Sequence, residues 1–214
     1  ATLSVAGADT VDLADFTLAV TGLDGTATAF SIGAITGTSA DTAAELELNF
    51  QEDNAAIAQA ITVASVVITA DSDTAGVLDI NFADAAGTSG TATFTGEVDT
   101  GIFGTTLGTI DIDMADSSAT TPVATIQFGG DVTGTTVFDE GAEDVTLVYN
   151  GSAAQTITGT INSDGGAGEG NLNITNTGGT VTFGNTIGDS QRLGVIDLTA
   201  AGVTATFSDA VTSS

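Results

Sequence analysis

The chain has 214 residues, of which 28 are acidic and one, Arg192, is basic, so its formal net charge is −27. Phosphate binding depends on lysine and arginine, so neither nucleic acid nor anionic lipid is an expected partner. Because His, Cys and Lys are all missing, no side chain has an ordinary pKa near neutrality and no histidine-activated nucleophile, Schiff base or thiolate can form; we expect no enzyme.

Apolar residues make up 42% of the chain and the mean hydropathy is +0.33, which predicts a folded protein despite the charge. No apolar run is long enough to span a bilayer, so membrane insertion is not expected. The first residues contain neither a basic region nor an apolar core, so no signal peptide is expected either. Extreme acidity suits a setting in which salt or divalent cations screen self-repulsion. We therefore expect an extracellular or cell-surface location.

Most of the chain alternates apolar and polar residues with a period of two, which is typical of half-buried strands. The clearest stretches are residues 17–21, 46–50, 77–82, 110–114 and 181–183. Clusters of Gly, Asp, Ser and Asn separate them and supply the turns. The sequence therefore predicts an all-β fold.

One stretch favours a short helix near residues 54–64. Asp53 and Asn54 can cap it, and Ile57, Ala60 and Ile61 then fall on one helical face. The competing interpretation is that this Ala-rich stretch continues as a strand.

Beyond residue 76 a repeat emerges, in which an apolar-acid/amide-apolar strand precedes a strand that ends in Phe. Residues 78–80 precede Phe94, residues 110–112 precede Phe128, residues 172–174 precede Phe183, and residues 196–198 precede Phe207. Such units must stack to bury their apolar faces. The repeat predicts a β-solenoid-like stack, with antiparallel β-sandwich domains as the alternative, and two regions: a β-rich module with the helix (1–75) and a repeat region (76–214). The expected buried positions are Ile80, Phe94, Ile112, Phe128, Phe183, Ile196 and Phe207.

Two stretches resemble known proteins: residues 180–188 (Thr-Val-Thr-Phe-Gly-Asn-Thr-Ile-Gly) and residues 193–198 (Leu-Gly-Val-Ile-Asp-Leu). The pattern resembles the β-strand repeats of very large bacterial surface proteins, namely adhesins, autotransporter-like passengers and surface-layer proteins. The resemblance covers roughly residues 76–214. It implies a structural role at the cell surface and brings no catalytic residues.

Carboxylates at alternate positions of a strand point to one face and can act as paired oxygen ligands. Calcium takes six to eight oxygens, which loops rich in Asp, Asn and Gly can complete. The alternative for each cluster is a solvated acidic surface. The predicted calcium ligands are Asp71 with Asp73, Asp111 with Asp113 and Asp116, and the cluster of Asp139, Glu140, Glu143 and Asp144.

Together these features predict a structural, non-enzymatic subunit or segment of an extracellular assembly, such as a surface layer, a filament or an adhesin stalk. Copies would associate with one another through β-edges and divalent cations. The alternative is a calcium-dependent module that binds polysaccharide or a receptor, with a cell-surface glycan as partner.

Overall fold

The structure is a computed structural model that describes residues 11–12, 17–21, 28–39, 44–50, 59–70, 75–82, 89–114, 123–139, 145–164 and 168–213. Within these ranges every regular element is a β-strand, and no helix occurs. The alternation of apolar and polar residues explains this, because a period of two gives each strand one face to bury.

The strands form two parallel sheets and one small hairpin. Thirteen strands make the main sheet: β1 (Val11–Asp12), β3 (Thr28–Ser39), β5 (Gln59–Ala70), β7 (Ser89–Phe94), β8 (Val98–Asp99), β12 (Val123–Phe128), β13 (Val132–Thr133), β15 (Val145–Tyr149), β16 (Gln155–Thr158), β18 (Asn171–Ile174), β19 (Thr180–Phe183), β20 (Ile196–Leu198) and β21 (Thr204–Phe207). Six make the second sheet: β2 (Thr17–Thr21), β4 (Glu45–Phe50), β6 (Val77–Phe82), β11 (Thr109–Met114), β14 (Thr135–Phe138) and β17 (Ile161–Ser163). The hairpin pairs β9 (Ile102–Phe103) with β10 (Thr106–Leu107).

The chain winds repeatedly through these sheets, and we call each passage a coil. The main sheet has two arms, one on each side of β5. After β5, each coil adds one strand to the first arm, which contains β7, β12, β15, β18 and β20. The same coil then adds one strand to the second arm, which contains β8, β13, β16, β19 and β21. It then crosses to the six-stranded sheet before the next coil begins. The long strand β5 joins the two arms, because its first half pairs with β7 and its second half with β8.

Each coil lies on its predecessor in register, so equivalent residues form columns along the winding. One column runs through Leu46, Leu78 and Ile110, and another through Leu48, Ile80 and Ile112. These columns face the interior, where all six side chains are fully buried. Burial of whole apolar columns is the main driving force for such a wound fold.

Aromatic rings extend the core from coil to coil. Phe128 lies between Phe94 and Tyr149 with ring centroids 5.4 Å away on both sides. Phe183 continues the series, with Tyr149 at 5.4 Å and Phe207 at 5.2 Å. Such pairs add to the stabilisation from buried area alone.

A buried amide supports the corner between the two arms. Gln155 Nε2 donates to the carbonyls of Phe128 and Gly130 at 2.9 and 2.8 Å. Its Oε1 accepts hydrogen bonds from the Gly151 amide and from Asn176 Nδ2 at 2.9 and 2.8 Å. The side chain therefore connects three successive coils and leaves none of its own polar atoms unpaired, as a buried amide requires.

The all-β class expected from the sequence is confirmed, but both expected architectures, the β-solenoid-like stack and the antiparallel β-sandwich, are wrong. The sheet pairs are parallel, which excludes the antiparallel sandwich, and the main sheet is not a solenoid of separate units but a nearly closed parallel barrel. The reason is that β3 and β5 each run for 12 residues through both arms. Parallel sheets of this kind favour a β-helix-like or barrel fold.

The short helix near residues 54–64 is also contradicted. Residues 51–58 lie outside the described part of the chain, but Gln59 to Ala64 belong to β5. Gln59, Ile61 and Val63 are buried while Ala60 and Thr62 are half-buried, so the period is two. Pairing with β3 on one side and β7 on the other overrides the helix preference of the alanines.

The structure bears on two other predictions, the division into two regions and the burial of the repeat positions. Strands on both sides of residue 75 pair with each other, as in β4 with β6 and β5 with β7, and the division into two regions stays a prediction.

Burial is confirmed for Ile80, Phe94, Ile112, Phe128 and Phe183. Ile196 and Phe207 are only half-buried, because in the described residues their coil has a neighbouring coil on one side only.

Replacing Phe183 by Ala should lower the free energy of unfolding by about 3–5 kcal/mol, because the ring is fully buried between two aromatic neighbours. Phe207 occupies the same column one coil later, and Phe207→Ala should cost clearly less. Guanidinium denaturation in EDTA measures both. Equal losses would show that the last coil is packed as tightly as the interior.

Candidate metal centre

The outward face of the six-stranded sheet is acidic. Its inward residues are apolar, so the alternate residues between them face outward. Glu47, Asp79 and Asp111 form one outward column through β4, β6 and β11. Asn49, Asn81 and Asp113 form the next column.

Asp139 joins the second column from the following coil. It comes directly after β14, and its amide donates to the Ile112 carbonyl at 3.0 Å, which aligns it with Asp113. Carboxylate oxygens of Asp111, Asp113 and Asp139 lie within 4.8 Å of one another. In the part of the chain that the structure describes, these three form the group of acidic side chains close enough to hold a metal ion.

Amides neighbour the carboxylates on one side of this cluster. Asn81 Nδ2 donates to Asn49 Oδ1 at 3.1 Å, and Asn49 Nδ2 donates to Glu47 Oε1 at 2.9 Å. Oδ1 of Asp79 is buried and has no hydrogen-bond partner. In the column of Asn49, Asn81 and Asp113, the side-chain amides of the first two residues are therefore followed by a carboxylate.

Crowding makes these carboxylates harder to ionise. Burial, then the hydrogen bond shared with Asp139 and then the charge of Asp111 raise the pKa of Asp113 to about 6. Burial and then the charge of Asp139 raise the pKa of Asp111. Burial also raises the pKa of Asp79, to which the charges of Asp111 and Glu47 contribute. Burial is the largest cause for all three carboxylates, and like charges on neighbouring strands add to it.

The cluster offers only oxygen, so a hard cation such as calcium suits it best. Three carboxylates supply part of a calcium shell, and water or neighbouring oxygens would complete six to eight ligands. A bound divalent ion would replace repulsion among the three groups by attraction. The cluster therefore has the ligand chemistry of a cation site on the outward face of the six-stranded sheet.

Sequence reasoning predicted all three members, but from two separate clusters. The structure brings Asp139 beside Asp111 and Asp113. Sequence reasoning did not single out Asp79, although its position in residues 78–80 matches Asp111 in the next repeat. The other predicted ligands lie outside the described residues: Asp71, Asp73, Asp116, Glu140, Glu143 and Asp144.

Comparisons with protein-family models, with curated proteins and with solved structures find no match for this chain. Among the residues that the structure describes, no helix has the length and apolar character needed to cross a membrane.

The raised pKa of Asp113 predicts how stability depends on pH in the absence of divalent cations. A pKa of about 6 in the folded state exceeds the ordinary value of about 3.9, so protonation favours folding. The free energy of unfolding should be highest below about pH 4 and should fall as the pH rises through about 6.

The variant Asp113→Asn should flatten this fall, because it removes the titrating group and extends the amide column of Asn49 and Asn81. Urea titrations between pH 4 and 7.5 in EDTA at fixed ionic strength measure the effect. The control Asp197→Asn, at an exposed carboxylate on β20, should retain the wild-type profile. An unchanged slope in Asp113→Asn would contradict the assignment.

Proposed function

We propose that this protein is a structural, non-enzymatic subunit or segment of an extracellular assembly, such as a surface layer, a filament or an adhesin stalk. Copies associate through strand edges and through divalent cations. The observation that carries the proposal is the cluster of Asp111, Asp113 and Asp139 on an outward wall of a chain that holds one basic residue in its whole sequence. The protein therefore has almost no positive charge of its own with which to neutralise this acidic face.

Several features support this role. The parallel winding presents equivalent outward positions coil after coil, as Glu47, Asp79 and Asp111 do. The full sequence has no His, Cys or Lys for catalysis. The resemblance of residues 76–214 to bacterial surface-protein repeats supports the extracellular location. Calcium, abundant outside cells, is the proposed cation.

Calcium should raise the melting temperature through the aspartate cluster. With an affinity of 10⁻⁴–10⁻³ M, typical of extracellular modules, 10 mM calcium should stabilise the fold by about 1.4–2.7 kcal/mol, or about 3–10 °C. The measurement compares EDTA, calcium and magnesium at matched ionic strength.

The double variant Asp113→Asn/Asp139→Asn should lose most of the calcium effect, whereas Asp197→Asn should keep it. If magnesium raised the melting temperature as much as calcium, the stabilisation would be due to charge screening and not to a specific calcium site. No shift with either ion would remove the cation from the proposal.

Electron microscopy and light scattering of the purified chain, with calcium and with EDTA, test the assembly role. We expect ordered particles of many copies in calcium and smaller species in EDTA. A chain that stays monomeric at high concentration in calcium and retains a polysaccharide on a column would instead be a binding module.

A further inference from the structure

The hairpin formed by β9 and β10, which we call the corner hairpin (residues 101–108), is an insertion in one coil of the winding. Nine residues separate Asp99 from Thr109, whereas a single residue separates their partners Thr133 and Thr135 in the next coil. The next coil therefore turns the same corner without a hairpin. The winding does not require the insertion.

Backbone hydrogen bonds keep the winding continuous across the base of the corner hairpin. The Gly76 amide donates to the Thr100 carbonyl at 2.7 Å, and the Thr109 amide donates to the Gly76 carbonyl at 3.1 Å. The Gly108 amide donates to the Gly101 carbonyl at 2.9 Å and closes the hairpin itself. The corner hairpin is thus an appendage on an intact ladder of coils, and its side chains are not needed to fill the core.

The corner hairpin exposes two adjacent apolar side chains. Ile102 is 52% exposed and Phe103 is 39% exposed. The other exposed large apolar residues of the described chain are Val195, Leu198 and Val211. Those three lie in a coil that has a described neighbour on one side only. The corner hairpin instead lies within residues 89–114, which are described without a gap, so its exposure has a different origin. Adjacent exposed apolar side chains are a feature of interaction sites.

Charge is absent from this part of the chain. Residues 100–110 contain no charged side chain, in a protein whose formal net charge is −27. Asp99, just before them, is tied to the base of the hairpin, since its Oδ1 accepts a hydrogen bond from the Gly101 amide at 2.8 Å. Two copies of so acidic a protein repel each other wherever carboxylates meet, so contact costs least between uncharged surfaces. The corner hairpin is such a surface, and both copies have it.

We propose that the corner hairpins of two copies of this protein pack against each other, with Ile102 and Phe103 of one copy on the same residues of the other. This inference rests on the assembly role proposed above and supplies one of its contacts. Each hairpin presents the same residues, so the contact is symmetric and joins copies in pairs. Cation bridges between acidic faces then link the pairs into larger particles.

The size of the contact sets its strength. The apolar side chains of the corner hairpin are Ile102, Phe103 and the half-buried Leu107. Contacts that bury less than about 800 Å² in total are weak on their own. Hairpin pairing therefore gains its effect when other contacts hold the copies together, and cross-linking and the concentration needed for assembly are the measurements that detect it.

Cysteine cross-linking tests the contact, and the chain has no cysteine of its own. Thr105 is exposed at the tip of the hairpin, between β9 and β10. Full-length Thr105→Cys in calcium, under mild oxidation or with a short bismaleimide, should form a homodimer on a non-reducing gel. The control Thr156→Cys, exposed on β16, should stay largely monomeric. Adding Phe103→Lys to Thr105→Cys should abolish the homodimer, although it lowers the net negative charge.

A second pair of variants tests the apolar contact without cysteine. Ile102→Ser/Phe103→Ser should raise the concentration needed for assembly about tenfold or more. Val195→Ser/Leu198→Ser changes two side chains that are similarly exposed, at 59% and 45%, and should assemble like the wild type. Circular dichroism in EDTA should show the same β-sheet signal for both variants, because the side chains that change are exposed.

The outcomes separate this contact from the assembly role. Wild-type particles in calcium, combined with normal assembly of Ile102→Ser/Phe103→Ser or with no more dimer from Thr105→Cys than from the control, would overturn hairpin pairing and leave the assembly role standing. A Thr105→Cys homodimer without larger wild-type particles would support hairpin pairing and overturn the assembly role. A wild type without particles, together with no homodimer from Thr105→Cys, would overturn both.

A lipid surface is the other occupant that the experiment distinguishes. Vesicles of phosphatidylcholine are sedimented with the wild type and with Ile102→Ser/Phe103→Ser. Co-sedimentation of the wild type alone, with no homodimer from Thr105→Cys, would assign the corner hairpin to a lipid surface and overturn its pairing with a second copy. A homodimer without co-sedimentation would support the second copy.

Discussion

In-register parallel pairing between successive coils is the constraint on which the rest of the structure depends. It places each residue beside the residue at the same position of the neighbouring coil, about 4.8 Å away. Many columns therefore stack similar side chains, as in the apolar column of Leu48, Ile80 and Ile112 and the acidic column of Glu47, Asp79 and Asp111. In the interior this is favourable, because Leu48, Ile80 and Ile112 form one dry column.

The same pairing has the opposite effect on the outward wall. Asp79, Asp111, Asp113 and Asp139 are held at strand spacing although their charges repel. Burial, the hydrogen bond with Asp139 and this repulsion together raise the pKa of Asp113. The fold can relieve the repulsion by taking up protons or by binding a cation. Backbone pairing and apolar burial dictate where these carboxylates lie, so the acidic wall follows from the register.

Successive coils bury one another. Ile174 is 0% exposed and Ile187 1%, whereas their partners in the same columns, Leu198 and Val211, are 45% and 40% exposed. Burial of a column position therefore depends on contact with coils on both of its sides.

The sequence by itself determined the all-β character, the inward positions of Ile80, Phe94 and Phe128, and the acidic residues that bind a cation in the proposal. These follow from residue type and a period of two, which are local properties. Only the tertiary structure decided that the strands pair in parallel, that Gln59 to Ala64 belong to a long strand rather than a helix, and that Asp139 meets Asp111 and Asp113. Strand partners lie tens of residues apart in the chain, and alternation is the same in parallel and antiparallel sheets. The choice therefore depends on contacts that no local pattern records.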